Sequence, residues 1–198
     1  MEEMDGLVVT ACERCPALVE SRSQIVNGTG PETADVLFVG EGPGATEDER
    51  GEPFVGRSGS VLDDELLRVG LDRDTVRITN CVRCRPPENR DPRTEELENC
   101  RGYLETEIER LDPSVVVTLG KVPSEHLLDR SVAVTNEAGT LEDVRIGGVP
   151  RRVLICVHPA ATLYDRSQTE TLRSTLERAA ELAGVDGTGG GQSRLDGF

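Results

Sequence analysis

Four runs of strand length, Val36-Leu37-Phe38-Val39, Val76-Arg77-Ile78-Thr79-Asn80, Val115-Val116-Val117-Thr118-Leu119 and Val153-Leu154-Ile155-Cys156-Val157, alternate with segments of helical period. Leu62, Leu66 and Val69 fall on one stripe that stops at Gly70; Leu97, Cys100, Leu104, Ile108 and Leu111 form a second, and Leu172, Leu176 and Ala179 a third within residues 169–182. Strands joined through helices pair in parallel with right-handed crossovers. The expected fold is therefore α/β, a three-layer αβα sandwich around a central, mainly parallel four-stranded sheet. Short helices are expected over residues 16–22 and 123–128. Residues 132–146, with Gly139 and Gly147-Gly148 at its end, read as a small hairpin at the sheet margin. A chain of 198 residues is long enough for one self-sufficient core, assigned to residues 1–183, with 184–198 as a disordered glycine-rich tail.

A parallel sheet sends the carboxyl ends of its strands to one rim, where loops converge on a crevice. Three features meet that rim: the loop from Gly40 to Gly59, Asn80, and His158. The loop begins Gly40-Glu41-Gly42-Pro43-Gly44, and its glycines allow a ligand to approach the main chain. It is not a nucleoside-triphosphate loop, because no Gly-Lys-Ser/Thr follows and the only lysine is Lys121. The acidic residues 47–49 and the glycine spacing also disfavour a dinucleotide pyrophosphate. Phe54 stands in this polar stretch where no periodicity calls for it, so its ring is free to stack on a flat ligand. Of the two histidines, His126 lies on a short helix and reads as structural, whereas His158 leaves a strand end just before Pro159 and reads as functional.

The formal charge is -15, and of 22 basic residues all but Lys121 are arginine. Such a surface is expected of a protein adapted to a concentrated-salt cytoplasm, where the screening length at ~1 M falls to about 3 Å. It argues against loose electrostatic attachment to nucleic acid, so any DNA contact must be short-ranged. Arg83, Arg85, Arg90 and Arg93 form the exception, a proline-stiffened basic loop. No run is apolar enough to span a bilayer and no signal pattern opens the chain, so a soluble, cytoplasmic protein is expected. Six cysteines in that setting favour a metal centre over disulfides. Cys156 lies inside a strand and Cys81 at a strand end, both read as core thiols. Cys12, Cys15, Cys84 and Cys100 remain as a four-thiolate set suited to a [4Fe-4S] cluster or to zinc, and spacing does not choose between them.

Five of these stretches, in order, resemble the family-4 uracil-DNA glycosylases, the iron-sulfur branch: residues 40–44; Pro53-Phe54-Val55-Gly56-Arg57-Ser58-Gly59; Thr79-Asn80 followed by Cys84-Arg85-Pro86-Pro87-Glu88-Asn89-Arg90; the helix with Glu95-Glu96-Leu97 and Cys100; and His158-Pro159-Ala160. Ala45-Thr46 and Thr162-Leu163-Tyr164 depart from the family pattern. The resemblance spans residues 12 to about 182. It implies a structural [4Fe-4S] cluster on Cys12, Cys15, Cys84 and Cys100, and a monomer that removes uracil from single- or double-stranded DNA by hydrolysis. Uracil must be flipped from the duplex to be reached. In the roles so implied, Phe54 stacks on the base and Asn80 reads its edge. His158 stabilises the departing anion, main-chain amides near Gly42 bind base or water, Glu41 serves the attacking water or the sugar cation, and Glu47 borders the C5 edge. Arg85, Arg90 and Arg166 are candidate phosphate contacts, and Leu163 or Tyr164 a wedge for the vacated stack. The alternatives are a non-catalytic iron-sulfur or zinc protein that binds a nucleobase, and a small electron-transfer module, the latter disfavoured by the lack of flavin or nicotinamide motifs.

Overall fold

The computed structural model of the chain describes residues 3–185. The glycine-rich residues 186–198, expected to be a disordered tail, lie outside the described residues. A hairpin of β1 (Glu3–Asp5) and β2 (Val8–Ala11) opens the chain, followed by α1 (Pro16–Ser21). Then β3 (Val36–Gly40) leads through the glycine-rich loop, which carries the short helix α2 (Ala45–Arg50), into α3 (Arg57–Arg68). Next come β4 (Arg77–Asn80), a 3-10 turn at Pro87–Asn89, α4 (Thr94–Leu111), β5 (Val115–Leu119), α5 (Lys121–Leu128) and α6 (Val134–Glu137). The chain continues through β6 (Leu141–Ile146), β7 (Val149–Cys156), α7 (Ala161–Tyr164) and α8 (Gln168–Leu182). Gly184 and Val185 close α8: Gly184 is left-handed at φ 72°, and the Val185 amide donates to the Ala180 carbonyl at 2.9 Å.

The main sheet has the order β4-β3-β5-β7-β6, with the first four strands parallel and β6 antiparallel to β7. Five strands thus stand where four were expected. The hairpin is not confined to residues 132–146: β7 starts early, at Val149, and pairs back on β6 through Gly147-Gly148, whose φ angles of 58° and 82° suit a tight two-residue turn. Residues 132–138 supply α6 instead of a strand. The N-terminal hairpin has no counterpart in the sequence pattern, its strands being only three and four residues long.

Alternation along the strands divides the core into two layers. Phe38 and Val117 face α3 and α8 through Leu62, Leu66, Leu172 and Leu176, while Leu37, Val39 and Val116 face α4 and α5 through Leu104, Ile108 and Leu127. Beneath the second layer Glu107 is fully buried, held by Arg77 Nε at 2.5 Å and Arg83 Nη2 at 2.7 Å. Arg83 is therefore no part of a solvated basic loop. After β3 the chain moves to β4 and then returns past β3 to β5. That reversal opens a crevice over the carboxyl ends of these strands.

Candidate active site

The floor of the crevice is set by a glycine. Gly40, last in β3, pairs in register with Asn80, last in β4. A Cβ at Gly40 would stand 2.7 Å from Phe54 Cζ and closer still to Phe54 Cε2 and Asn80 Oδ1. Only a residue without a side chain lets the ring and the carboxamide close together over the strand end. Asn80 is 3% exposed, and its Oδ1 is a buried acceptor with no hydrogen-bond partner among the described residues. Such an atom costs stability unless something donates to it.

Phe54 reaches this place through an unusual backbone, φ 54°, a left-handed conformation that a bulky residue rarely adopts. Gly59 on α3 makes room, since a Cβ there would run into the Phe54 carbonyl. The Phe54 ring centroid lies 5.7 Å from that of His158, with 32° between the planes. His158 follows β7 and packs beside Gly120 at the end of β5, where a Cβ would come within 3.2 Å of the His158 Cβ. The Ala160 amide donates to His158 Nδ1 at 3.1 Å, which leaves the proton of the neutral ring on Nε2. Burial lowers the His158 pKa and the Glu47 carboxylate partly opposes it, so the imidazole is neutral at neutral pH.

Two carboxylates complete the walls. Glu41 is half-buried, and burial together with the charge of Asp91 pushes its pKa up to about 7. Glu47, on α2, accepts from the amides of Val55 at 3.1 Å and Gly56 at 2.8 Å through Oε1, bracing the loop just after Phe54. Its neighbour Asp48 is buried and turns the other way, with both oxygens accepting from the Ser23 amide at 2.9 Å. Glu41, Gly42, Gly44, Glu47, Phe54, Ser58, Asn80 and His158 enclose a cavity of about 330 Å³. Such a volume suits a small ligand.

Every residue assigned from sequence to base or water is thus in one cavity, and Ser58 joins them unannounced. It lies within one of the family-like stretches, but a lone serine in a glycine-rich loop gives no chemical signal. His126 is elsewhere, on α5, with its pKa lowered to about 4 by burial and then by Arg101, in keeping with a structural role. The residues assigned to DNA lie outside the cavity. Leu163 and Tyr164 are 42% and 90% exposed on α7, just after His158, and Arg166 is exposed beside them. Arg85 donates to Asn89 Oδ1 at 2.7 Å, and Arg90 is bound by both oxygens of Glu96 at 2.6 and 2.8 Å.

Cys12, Cys15, Cys84 and Cys100 line a second pocket with Leu18, Val19, Arg22 and Asn99. Cys81 and Cys156 are fully buried in the two core layers instead. Arg22 Nη1 donates to Cys84 Sγ at 3.0 Å, and Asn99 Nδ2 approaches Cys15 Sγ at 3.5 Å. Burial raises the thiol pKa of Cys15 and Cys84 and takes that of Cys100 to about 11. Among the described residues no three His, Cys, Asp or Glu side chains converge at the spacing of a single bound ion.

The sequence profile of the uracil DNA glycosylase superfamily matches residues 27–182. The chain is 37% identical over 190 residues to a type-4 uracil-DNA glycosylase of Archaeoglobus fulgidus, covering 93% of this chain and 95% of that one. A type-4 uracil-DNA glycosylase of Pyrobaculum aerophilum is 41% identical over 160 residues, 79% of this chain and 81% of its own. One of Thermotoga maritima is 40% identical over 170 residues, 85% and 86%. With a profile match across most of the fold and such relatives along nearly the whole chain, the protein belongs to the type-4 branch of the uracil DNA glycosylase superfamily.

Proposed function

We propose that this chain excises uracil from DNA by hydrolysing the bond between base and deoxyribose. The observation that carries the reading is the buried, unpartnered Oδ1 of Asn80, packed beside the Phe54 ring in the cavity that also holds His158. Uracil offers N3–H to that oxygen and O4 to the amide NH2. Cytosine reverses both, leaving buried groups unpaired at about 1–3 kcal/mol each. Phe54 stacks on the flipped base. As the glycosidic bond breaks, negative charge gathers on the base, and the Nε2–H of a neutral His158 donates to O2; loss of such a donor costs about 2.7–4 kcal/mol. A water oxygen bonds to C1′ as the base leaves. Glu41, poised near neutrality, accepts the water proton or stabilises the cationic sugar.

The second pocket supports a [4Fe-4S] group on Cys12, Cys15, Cys84 and Cys100. Four sulfurs share one pocket, with N–H donors aimed at two of them. When bound, the cluster would cross-link the N-terminal segment, the loop after β4 and α4, and no step of the hydrolysis passes through it. Leu163 or Tyr164 would fill the vacated stack. Arg166, exposed and without a side-chain partner among the described residues, and Arg85 would take phosphates; Arg90 could do so only while sharing its charge with Glu96.

The test is incubation of the purified protein with a uracil-containing oligonucleotide over a range of salt, reading abasic sites by alkaline cleavage, with visible absorbance and iron and zinc content measured on the same sample. Cleavage lost in Asn80→Ala and His158→Ala supports the reading. Wild-type protein with its metal intact and no abasic sites at any salt overturns it, and leaves a nucleobase-binding protein.

A further inference from the structure

Phe54 holds a backbone conformation that its own chemistry disfavours, so something outside the residue must hold it there. The stretch is gripped from two sides. Glu47 takes the amides of Val55 and Gly56, which follow the ring. From the opposite side Arg73 donates Nη1 to the Pro53 carbonyl at 3.1 Å and Nη2 to the Phe54 carbonyl. The guanidinium is itself aimed by Asp63 on α3, whose Oδ1 accepts from Arg73 Nε at 2.7 Å. Arg73 does not line the cavity, is not among the sequence motifs, and lies in the turn between α3 and β4.

We propose that Arg73 is a positioning residue for base recognition, a fork across two consecutive carbonyls that fixes the left-handed Phe54 and so lays its ring against Asn80 and His158. This rests on the reading of the cavity as a base pocket. Only a planar five-donor group can do this, because three of its N–H groups point at three different acceptors in one fixed geometry, which the single ammonium of lysine does not reproduce. Released by Arg73, the chain can leave the left-handed region, and any other conformation at residue 54 redirects the ring. The Gly59 contact and the Glu47 brace limit where the loop goes but touch neither carbonyl as a donor.

The test is a double-mutant cycle of Arg73→Met and Phe54→Ala, read as single-turnover uracil excision, with hydrogen exchange at the amides of residues 55 and 56 measured alongside. Base stacking on an aromatic side chain carries enough energy that Arg73→Met should slow excision about tenfold or more in the Phe54 background. In the Phe54→Ala background the same change should cost less than about twofold, because its effect runs through the ring. Exchange at residues 55 and 56 should rise, and Arg73→Lys should resemble Met more than wild type. Losses that multiply, or an unchanged rate and unchanged exchange in Arg73→Met, overturn the proposal. Should Arg73→Met fold poorly, Asp63→Ala, which leaves the guanidinium present but removes the acceptor that aims it, is put through the same cycle and judged by the same outcomes. An inactive wild type with a protected loop would remove the glycosylase reading and leave the fork standing, whereas an active wild type whose loop stays protected in Arg73→Met would remove only the fork.

Discussion

Substituting Gly40 by alanine adds one methyl group at the point where the site is tightest. Gly40 is not in the left-handed region, so alanine brings no backbone strain, and its carbonyl can still accept from the Cys81 amide at 2.8 Å. The new Cβ, however, meets Phe54 Cζ at 2.7 Å where ordinary contact begins at 3.4 Å, and Phe54 Cε2 and Asn80 Oδ1, equally near to it, are closer still, so the ring and the carboxamide must each withdraw by more than 0.7 Å. A misplacement of ~1 Å can cost about a hundredfold in rate, and losses of roughly tenfold to a hundredfold, ~1.4–2.7 kcal/mol of barrier, are expected here. Overpacking should cost about 1–3 kcal/mol of stability, which at roughly 2–4 °C per kcal/mol for a chain of this size leaves the protein folded. The assay is single-turnover excision from a uracil oligonucleotide, with thermal melting and visible absorbance on the same preparation. Gly102, on α4, is the control, since a Cβ added there would meet nothing within 4 Å: Gly102→Ala should keep full activity. Gly40→Ala within about twofold of wild type would mean that ring and carboxamide do not both rest on this strand end.

Excision should rise with pH through about 7 as Glu41 loses its proton, and Glu41→Gln should erase that limb. Because the Asp91 charge helps to raise Glu41, Asp91→Asn should move the limb to lower pH in a pH–rate profile. A carboxyl raised from 4.5 to about 7 binds its proton more tightly folded than unfolded, so it withdraws stability as pH climbs through that window, and melting of Glu41→Gln should be flatter there. Glu107→Gln strands two buried guanidinium groups and should cost about 3–5 kcal/mol in denaturant unfolding, whereas a change under about 1 kcal/mol would show the triad to be dispensable. With a net charge of -15, the melting temperature should rise between dilute buffer and about 2 M potassium chloride, and a fall would contradict the salt-adapted reading.

The strands, the helices between them and the meeting of Phe54, Asn80 and His158 were legible because each is written in local pattern plus one topological rule. An apolar run names a strand, and parallel pairing sends every strand end to the same rim. What was not legible depends on partners distant in sequence. Arg83 reads as part of a basic loop until α4 is seen to bring Glu107 to it. The pairing of Arg90 with both oxygens of Glu96 is likewise absent from the local pattern. Arg73 carries no motif at all, and its grip on Pro53 and Phe54 appears only when α3 has folded back. The fifth strand escaped because β6 is half exposed and alternates weakly, so its glycine turn was visible but its pairing was not.

Two adjacent residues of one short helix face opposite ways: Glu47 steadies the aromatic loop, while Asp48 receives the Ser23 amide from the segment that begins at the cysteines. The superfamily profile starts at residue 27 and leaves that segment out. A protein trimmed to the shared region would keep every group lining the cavity yet strip Asp48 of its amide donor, leaving a buried anion uncompensated one residue from the brace. In this chain the segment that carries the first two cysteines is thus tied to the short helix that bears Glu47, and a change in the one reaches the cavity wall through the other.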